Sequence, residues 1–221
     1  MTARMTIAEL WRYPVKSMAG ERLEHAELTR DGIVGDRVVQ VRDSRGQILT
    51  ARRKPGLLGH RAILGPDGEP RVDGRPWSSP AVAADVERAA GPGARLERSD
   101  GPERFDVLPL LVATDGAIRA FGHDGRRLRP NIVIAGVEGL AERTWEGRLL
   151  RAGAVVIGLR DLRGRCVMTT FDPDTQVQDI EVLHKIRREF EGTLALNAWV
   201  VTPGGLAVGD EIELVENRGA P

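Results

Sequence analysis

The chain of 221 residues contains a single cysteine, Cys166, so it can form neither an internal disulfide nor a cysteine-rich zinc site. It has no run of the roughly 18 apolar residues that a membrane span needs. The opening Met1-Thr2-Ala3-Arg4-Met5-Thr6-Ile7 has no apolar stretch of the signal-peptide kind, so a cytoplasmic protein is expected. Charge of one sign is also missing. Lys+Arg and Asp+Glu both total 32, so no global field draws the protein to nucleic acid or to an anionic membrane. Lysine is scarce: only Lys16, Lys54 and Lys185 occur among the 32 basic residues, leaving 29 arginines. An arginine is therefore weak evidence of function here, and a lysine is stronger.

Common motifs are absent as well. There is no Walker A sequence and no G-x-G-x-x-G between strand and helix. His25, His60, His123 and His184 are scattered without ligand spacing. The acidic run from Asp172 to Asp179 has Val177 where a calcium loop needs glycine and Leu183 where it needs glutamate, so it reads as a turn leading into a capped helix.

What is present patterns as a β-rich α+β protein. Short apolar runs (Thr6 to Tyr13, Arg37 to Arg42, Gln47 to Ala51) alternate with turns such as Gly65-Pro66-Asp67-Gly68 and Asp73-Gly74, which suggests a barrel or sandwich over residues 1–100. A polar stretch from Ser99 to Glu103 leads into a second part, 101–221. Helices are predicted over Ser79 to Ala90, over Thr114 to Phe121 with Thr114 as cap, and after Asp179, with Ile180, Leu183, Ile186 and Phe190 on one face and Gly192 at the end. Asn131 to Ala135 and Ala154 to Leu159 read as buried strands. Leu194 to Val201 and Leu206 to Val215 return to strand, with turns at Pro203-Gly204-Gly205 and Gly209-Asp210.

Three places carry candidate chemistry. Cys166 follows Arg160, Arg163 and Arg165, and cations beside a thiol favour the thiolate that acts as nucleophile or soft metal ligand. Tyr13-Pro14-Val15-Lys16-Ser17 ends a strand in an ammonium, a hydroxyl and backbone N–H groups, a set suited to phosphate, although a solvated turn would look the same. Gly35-Asp36-Arg37 and Arg129-Pro130-Asn131 each set an arginine in a constrained frame at the edge of an apolar strand, where it could grip phosphate bidentately.

Their order resembles the MOSC superfamily: Tyr-Pro-Val-Lys-Ser, Gly-Asp-Arg, Leu-Thr-Ala-Arg (Leu49 to Arg52), Arg-Pro-Asn-Ile-Val, Arg-Cys-x-x-Thr-Thr-x-Asp-Pro and a terminal Val-Gly-Asp. The resemblance is greatest to the branch with an N-terminal β-barrel subdomain that includes the mitochondrial amidoxime-reducing component and bacterial relatives. It implies an N-terminal β-barrel subdomain packed on a MOSC β-barrel, with the molybdenum cofactor (Mo-molybdopterin) in the cleft between them. Residue by residue, it implies Cys166 as molybdenum ligand, Lys16, Ser17, Arg37, Arg129, Asn131 and Arg165 as pterin and phosphate contacts, Asn197 facing the cofactor, and Asp106 as a proton relay.

The implied activity is reduction of small N-hydroxylated compounds. The chain has no cysteines to spare for an iron–sulfur cluster, so electrons are expected from a separate donor protein of iron–sulfur or cytochrome type. Two departures stand out: Val107-Leu108 replaces a Thr-Ser pair that relatives can show, and Gln176 replaces the usual glycine beyond the cysteine. Two other classes stay open, a carrier of cofactor or of sulfur using Cys166 as a persulfide, and an interaction module that has lost the metal.

Overall fold

The structure, a computed structural model, describes residues 4–99 and 101–217. Met1 to Ala3 and Asp100, which fall in the N-terminal segment and the polar stretch noted above, lie outside the described residues, as does the boundary drawn at 100.

A twisted eight-stranded sheet organises the molecule. Its strands run in the order Glu213–Val215, Leu149–Ala152, Val155–Gly164, Thr193–Thr202, Leu110–Thr114, Ile132–Ala135, Thr6–Arg12 and Glu21–Leu23. All neighbours are antiparallel except Leu110–Thr114 and Ile132–Ala135. A parallel pair needs a crossover, and helix α2 (Asp115–Phe121) lies in that connection. The first and last thirds of the chain thus complete one sheet.

Three small sheets surround it: Arg95–Arg98, Val39–Arg42 and Ile48–Leu49; Gly204–Ala207, His25–Thr29 and Gly32–Ile33; and Ala62–Leu64, Pro70–Val72 and Arg75–Pro76. The two largest apolar clusters among the described residues lie on different sheets. One, around Ile7, Leu10, Val112, Ile134, Ile157 and Leu196, lies on the large sheet. The other, around Val15, Met18, Val39, Leu57 and Val86, lies under helix α1 (Pro80–Ala90).

Thr114 caps as expected, its Oγ1 accepting from Ala117 N at 3.1 Å, and Ser79, for which no cap was expected, accepts from Val82 N at 3.4 Å. Helix α3 (Glu181–Glu189) has Ile180, not the expected Asp179, at its N-cap position and no side-chain cap there. Asp179, one residue earlier, accepts from Glu181 N at 3.0 Å, and Gly192 N closes the far end on Ile186 O at 3.0 Å. The core face of α3 differs by one position from expectation: Val182, not Ile180, is buried with Leu183, Ile186 and Phe190, because the helix starts after Ile180 and leaves it exposed. The segment from Leu206 to Val215 is two short strands broken at Gly209-Asp210, and Gly204-Gly205 belongs to the first of them rather than to a turn.

Candidate active site

Beside the Cys166 turn opens a cleft with about 830 Å³ of space, part of it open to solvent. Cys166, Asp106, Lys16, Ser17, Arg37, Arg129, Asn131, Arg165 and Asn197 all line it, together with Thr50, Arg52, Arg127, Arg163 and Met168. Seven cations therefore face one carboxylate, that of Asp106. In a protein with no net charge, this concentration marks the cleft for an anion.

Cys166 emerges where the long strand Val155–Gly164 runs out, at the start of a short 3-10 turn, Val167–Thr170. Thr169 fixes that turn by donating from its hydroxyl (2.8 Å) and its N–H (3.1 Å) to the Cys166 carbonyl. Arg127 fixes it from outside, donating to Thr170 O at 3.0 Å and to Asp172 Oδ2 at 3.0 Å. The other Asp172 oxygen accepts from Asp174 N and Thr175 N, so this acidic run is a self-bonded turn.

On one side of the thiol the polar groups are wired to one another. Asp106 Oδ1 pairs with Lys16 Nζ at 3.1 Å, and its Oδ2 accepts from Arg52 at 2.7 Å and Arg163 at 3.2 Å. Burial alone would raise the Asp106 pKa, but Lys16, Arg52 and Arg163 outweigh it and hold the carboxyl below its usual range. Asp106 is thus ionised at neutral pH and is poorly suited to delivering a proton. Lys16 is buried, which pushes its pKa down against the pull of Asp106, and its other two protons go to the carbonyls of Glu103 (3.1 Å) and Arg104 (3.0 Å). All three of its donors are spent. Arg163 also donates to Asn197 Oδ1 at 3.2 Å, while Asn197 Nδ2 donates to Asp161 at 2.7 Å. Arg52 faces both Asp106 and the Cys166 thiol; burial opposes its charge, and those two partners more than restore it.

On the other side several donors have no partner. Arg129 stacks on the ring of Tyr13, 4.2 Å from its centroid, and donates no side-chain hydrogen bond among the described residues. Burial lowers its pKa. The Ser17 hydroxyl, on a buried residue, also has no partner among the described residues. Arg165 donates to Leu128 O at 2.7 Å, but its Nε is buried with no partner, and burial pushes its pKa down to about 10. Ser17, Arg37 and Arg129 all have left-handed backbones (φ 72°, 54° and 56°), a conformation that strains non-glycine residues and that concentrates at binding sites.

Beneath these donors lies a buried frame. Asp36 accepts from Tyr13 N at 2.7 Å, from Arg37 and from Asn131 Nδ2 at 3.3 Å. Asn131 also donates to Trp11 O at 3.3 Å and accepts from Leu111 N at 3.2 Å, so its amide is consumed by the fold. Tyr13, the one tyrosine of the chain, donates to Pro130 O at 3.1 Å, and burial pushes its pKa up to about 12. Gly20 permits this ring position, since a Cβ there would come within 2.6 Å of Tyr13 Cδ1.

Reading the sequence alone left Arg52, Arg127 and Arg163 off the site, although Arg52 and Arg163 fall within or beside quoted motifs. Arg127 had no local signal. Among the described residues no three His, Cys, Asp or Glu side chains converge on a point, so a metal at Cys166 would depend on ligands that a bound group brings with it.

Residues 4–75 match the MOSC N-terminal beta barrel domain, and residues 117–213 match the MOSC domain. Among curated relatives, the chain is 28% identical to mitochondrial amidoxime reducing component 2 of Macaca fascicularis, over 79% of this chain and 69% of that protein. It is 26% identical to human mitochondrial amidoxime-reducing component 1, over 95% of this chain and 83% of that protein. A crystal structure described as a hypothetical protein aligns with 98% of this chain and 70% of its own, at a TM-score of 0.52 and 13% identity, a likeness of fold alone.

Proposed function

The chain belongs to the MOSC superfamily, and we propose that within it the protein is a molybdenum-cofactor-dependent reductase of small N-hydroxylated compounds. One observation carries the reading: unpaired donors on Ser17, Arg129 and Arg165 share a cleft with the only thiol. Half-buried guanidinium groups without partners are costly unless an anion completes them. A phosphate-bearing pterin answers that need, and a soft thiolate suits a metal already held by sulfur.

In this reading Cys166 ligates the metal, and Arg129, Ser17 and Arg165 bind the phosphate and pterin. Arg127 and Thr169 hold the thiol in position, while Asn131 and Asp36 aim Arg37. When bound, the cofactor supplies two-electron oxygen-atom transfer. Loss of the N-hydroxyl oxygen as water consumes two electrons and two protons. Asp106, kept ionised, orients Lys16, Arg52 and Arg163, so the protons come from solvent at the mouth of the cleft. Electrons come from a separate donor protein of iron–sulfur or cytochrome type.

The test is to purify the protein from a host that makes the cofactor, then measure molybdenum, released pterin and benzamidoxime reduction with a reduced viologen dye. About one metal and one pterin per chain, with turnover, are expected. Absence of both after reconstitution overturns the proposal. Bound metal with no turnover would instead make the protein a carrier.

A further inference from the structure

A second cavity adjoins the first through shared lining residues, with about 1100 Å³ of space, part of it open to solvent. Its character differs. Trp11, Tyr13 and Phe171 supply three aromatic rings, and Leu58 and Met168 add apolar surface. Of its four arginines, Arg126 is paired with Asp124 and Asp174, and Arg127 with Asp172. Arg61 and Arg129 make no side-chain bond among the described residues. The cavity, which Asp174 also lines, therefore combines an apolar lining with two arginine side chains that have no hydrogen-bond partner among the described residues, one exposed and one half-buried. Arg127, Arg129 and Met168 line both cavities; Arg127 is spent on Asp172 and Thr170 O, and the Arg129 guanidinium lies on the Tyr13 ring that walls the second.

We propose that the second cavity binds a planar aromatic anion, with its ring against Trp11 and Phe171 and its negative group on Arg129, which lies on Tyr13. Trp11 and Phe171 offer apolar contact to a flat body, and the buried Tyr13 ring backs the Arg129 guanidinium that lies on it. A guanidinium with empty donors in a partly desolvated wall selects an anionic end over a neutral or cationic one. Because Arg129 serves both cavities, an anion held from the main cleft competes for the same donors. Occupancy of the two sites is thus coupled through one side chain, whether or not the main cleft performs reduction.

Calorimetric titration of cofactor-free protein tests this, with benzoate as the anionic probe and benzamide as its uncharged counterpart. Benzoate should bind about tenfold or more tightly than benzamide, the usual worth of a charge-assisted bond. Arg129→Gln should reduce benzoate to the level of benzamide while leaving benzamide unchanged, which also shows that the variant is folded. Trp11→Leu should weaken both probes, and saturating inorganic phosphate should weaken benzoate alone. Equal affinity for the two probes in the parent would overturn the proposal. So would benzoate binding that survives Trp11→Leu, that depends on Arg61 and not on Arg129, or that is indifferent to phosphate.

Discussion

The two sides of the Cys166 cleft are both built from arginine, yet they use it in opposite ways. Around Asp106 the charges of Lys16, Arg52 and Arg163 are consumed by a carboxylate and by backbone carbonyls. Elsewhere in the cleft, Arg129 on the Tyr13 ring and Arg165 keep donors in reserve. A cation whose donors are spent inside the protein builds the fold and positions its neighbours. A cation held half-buried with donors empty is a binding group, because only a ligand relieves the cost of leaving it unpaired. Residue type cannot separate these roles; partners can.

The largest effect expected of any single change is at the thiol between the two sides. Cys166→Ser should abolish benzamidoxime reduction, while the melting temperature of the cofactor-free protein stays within a few degrees of the parent. A fall much beyond that would make the thiol a packing residue. Next comes the wired side. Lys16→Met leaves two carbonyls and Asp106 without their donor, and should cost about 2 kcal/mol, or roughly 4–8 °C in melting temperature. A variant as stable as the parent would dissolve the distinction between the sides.

Asp106→Asn sharpens the comparison through pH. The folded pKa of Asp106 is depressed below its ordinary 3.8, so its ionised form stabilises the fold above that value. That contribution is lost as pH falls through the folded pKa. The parent should therefore exceed Asp106→Asn in stability, by about 1–2 kcal/mol at pH 5–7, and the gap should narrow as pH falls below 3.8, as measured by urea unfolding. A gap that stays constant as pH falls below 3.8 would mean the carboxylate charge is not what matters. The smallest effect belongs to the open side: Ser17→Gly relieves a left-handed backbone and removes only one hydroxyl. It should weaken phosphate binding a few-fold with little change in stability.

Much of this was legible in the order of the motifs. The nine residues singled out by the sequence all line one cleft, although they are spread from Lys16 to Asn197. Capping and turn chemistry placed helices α2 and α3, since Thr114 and Gly192 act within a few residues of themselves. Two things were not legible. The joining of Thr6–Arg12 to Ile132–Ala135 is a long-range pairing with no local signature. The division of labour among the cations was hidden for the same reason, because Lys16 is spent on carbonyls some 87 residues away and Arg127 on a turn 43 residues away. With 29 arginines in the chain, composition could not say which of them mattered.

The most direct test of the contrast is titration of cofactor-free Arg129→Gln and Lys16→Met with inorganic phosphate, each set beside its own melting temperature. Arg129→Gln should lose about tenfold or more in phosphate affinity at unchanged stability. Lys16→Met should lose stability, and its phosphate affinity at a temperature where it is folded should stay within a few-fold of the parent. If Lys16→Met instead loses phosphate affinity as fully as Arg129→Gln while melting like the parent, Lys16 is a ligand-binding cation and the two sides of the cleft do not differ as described.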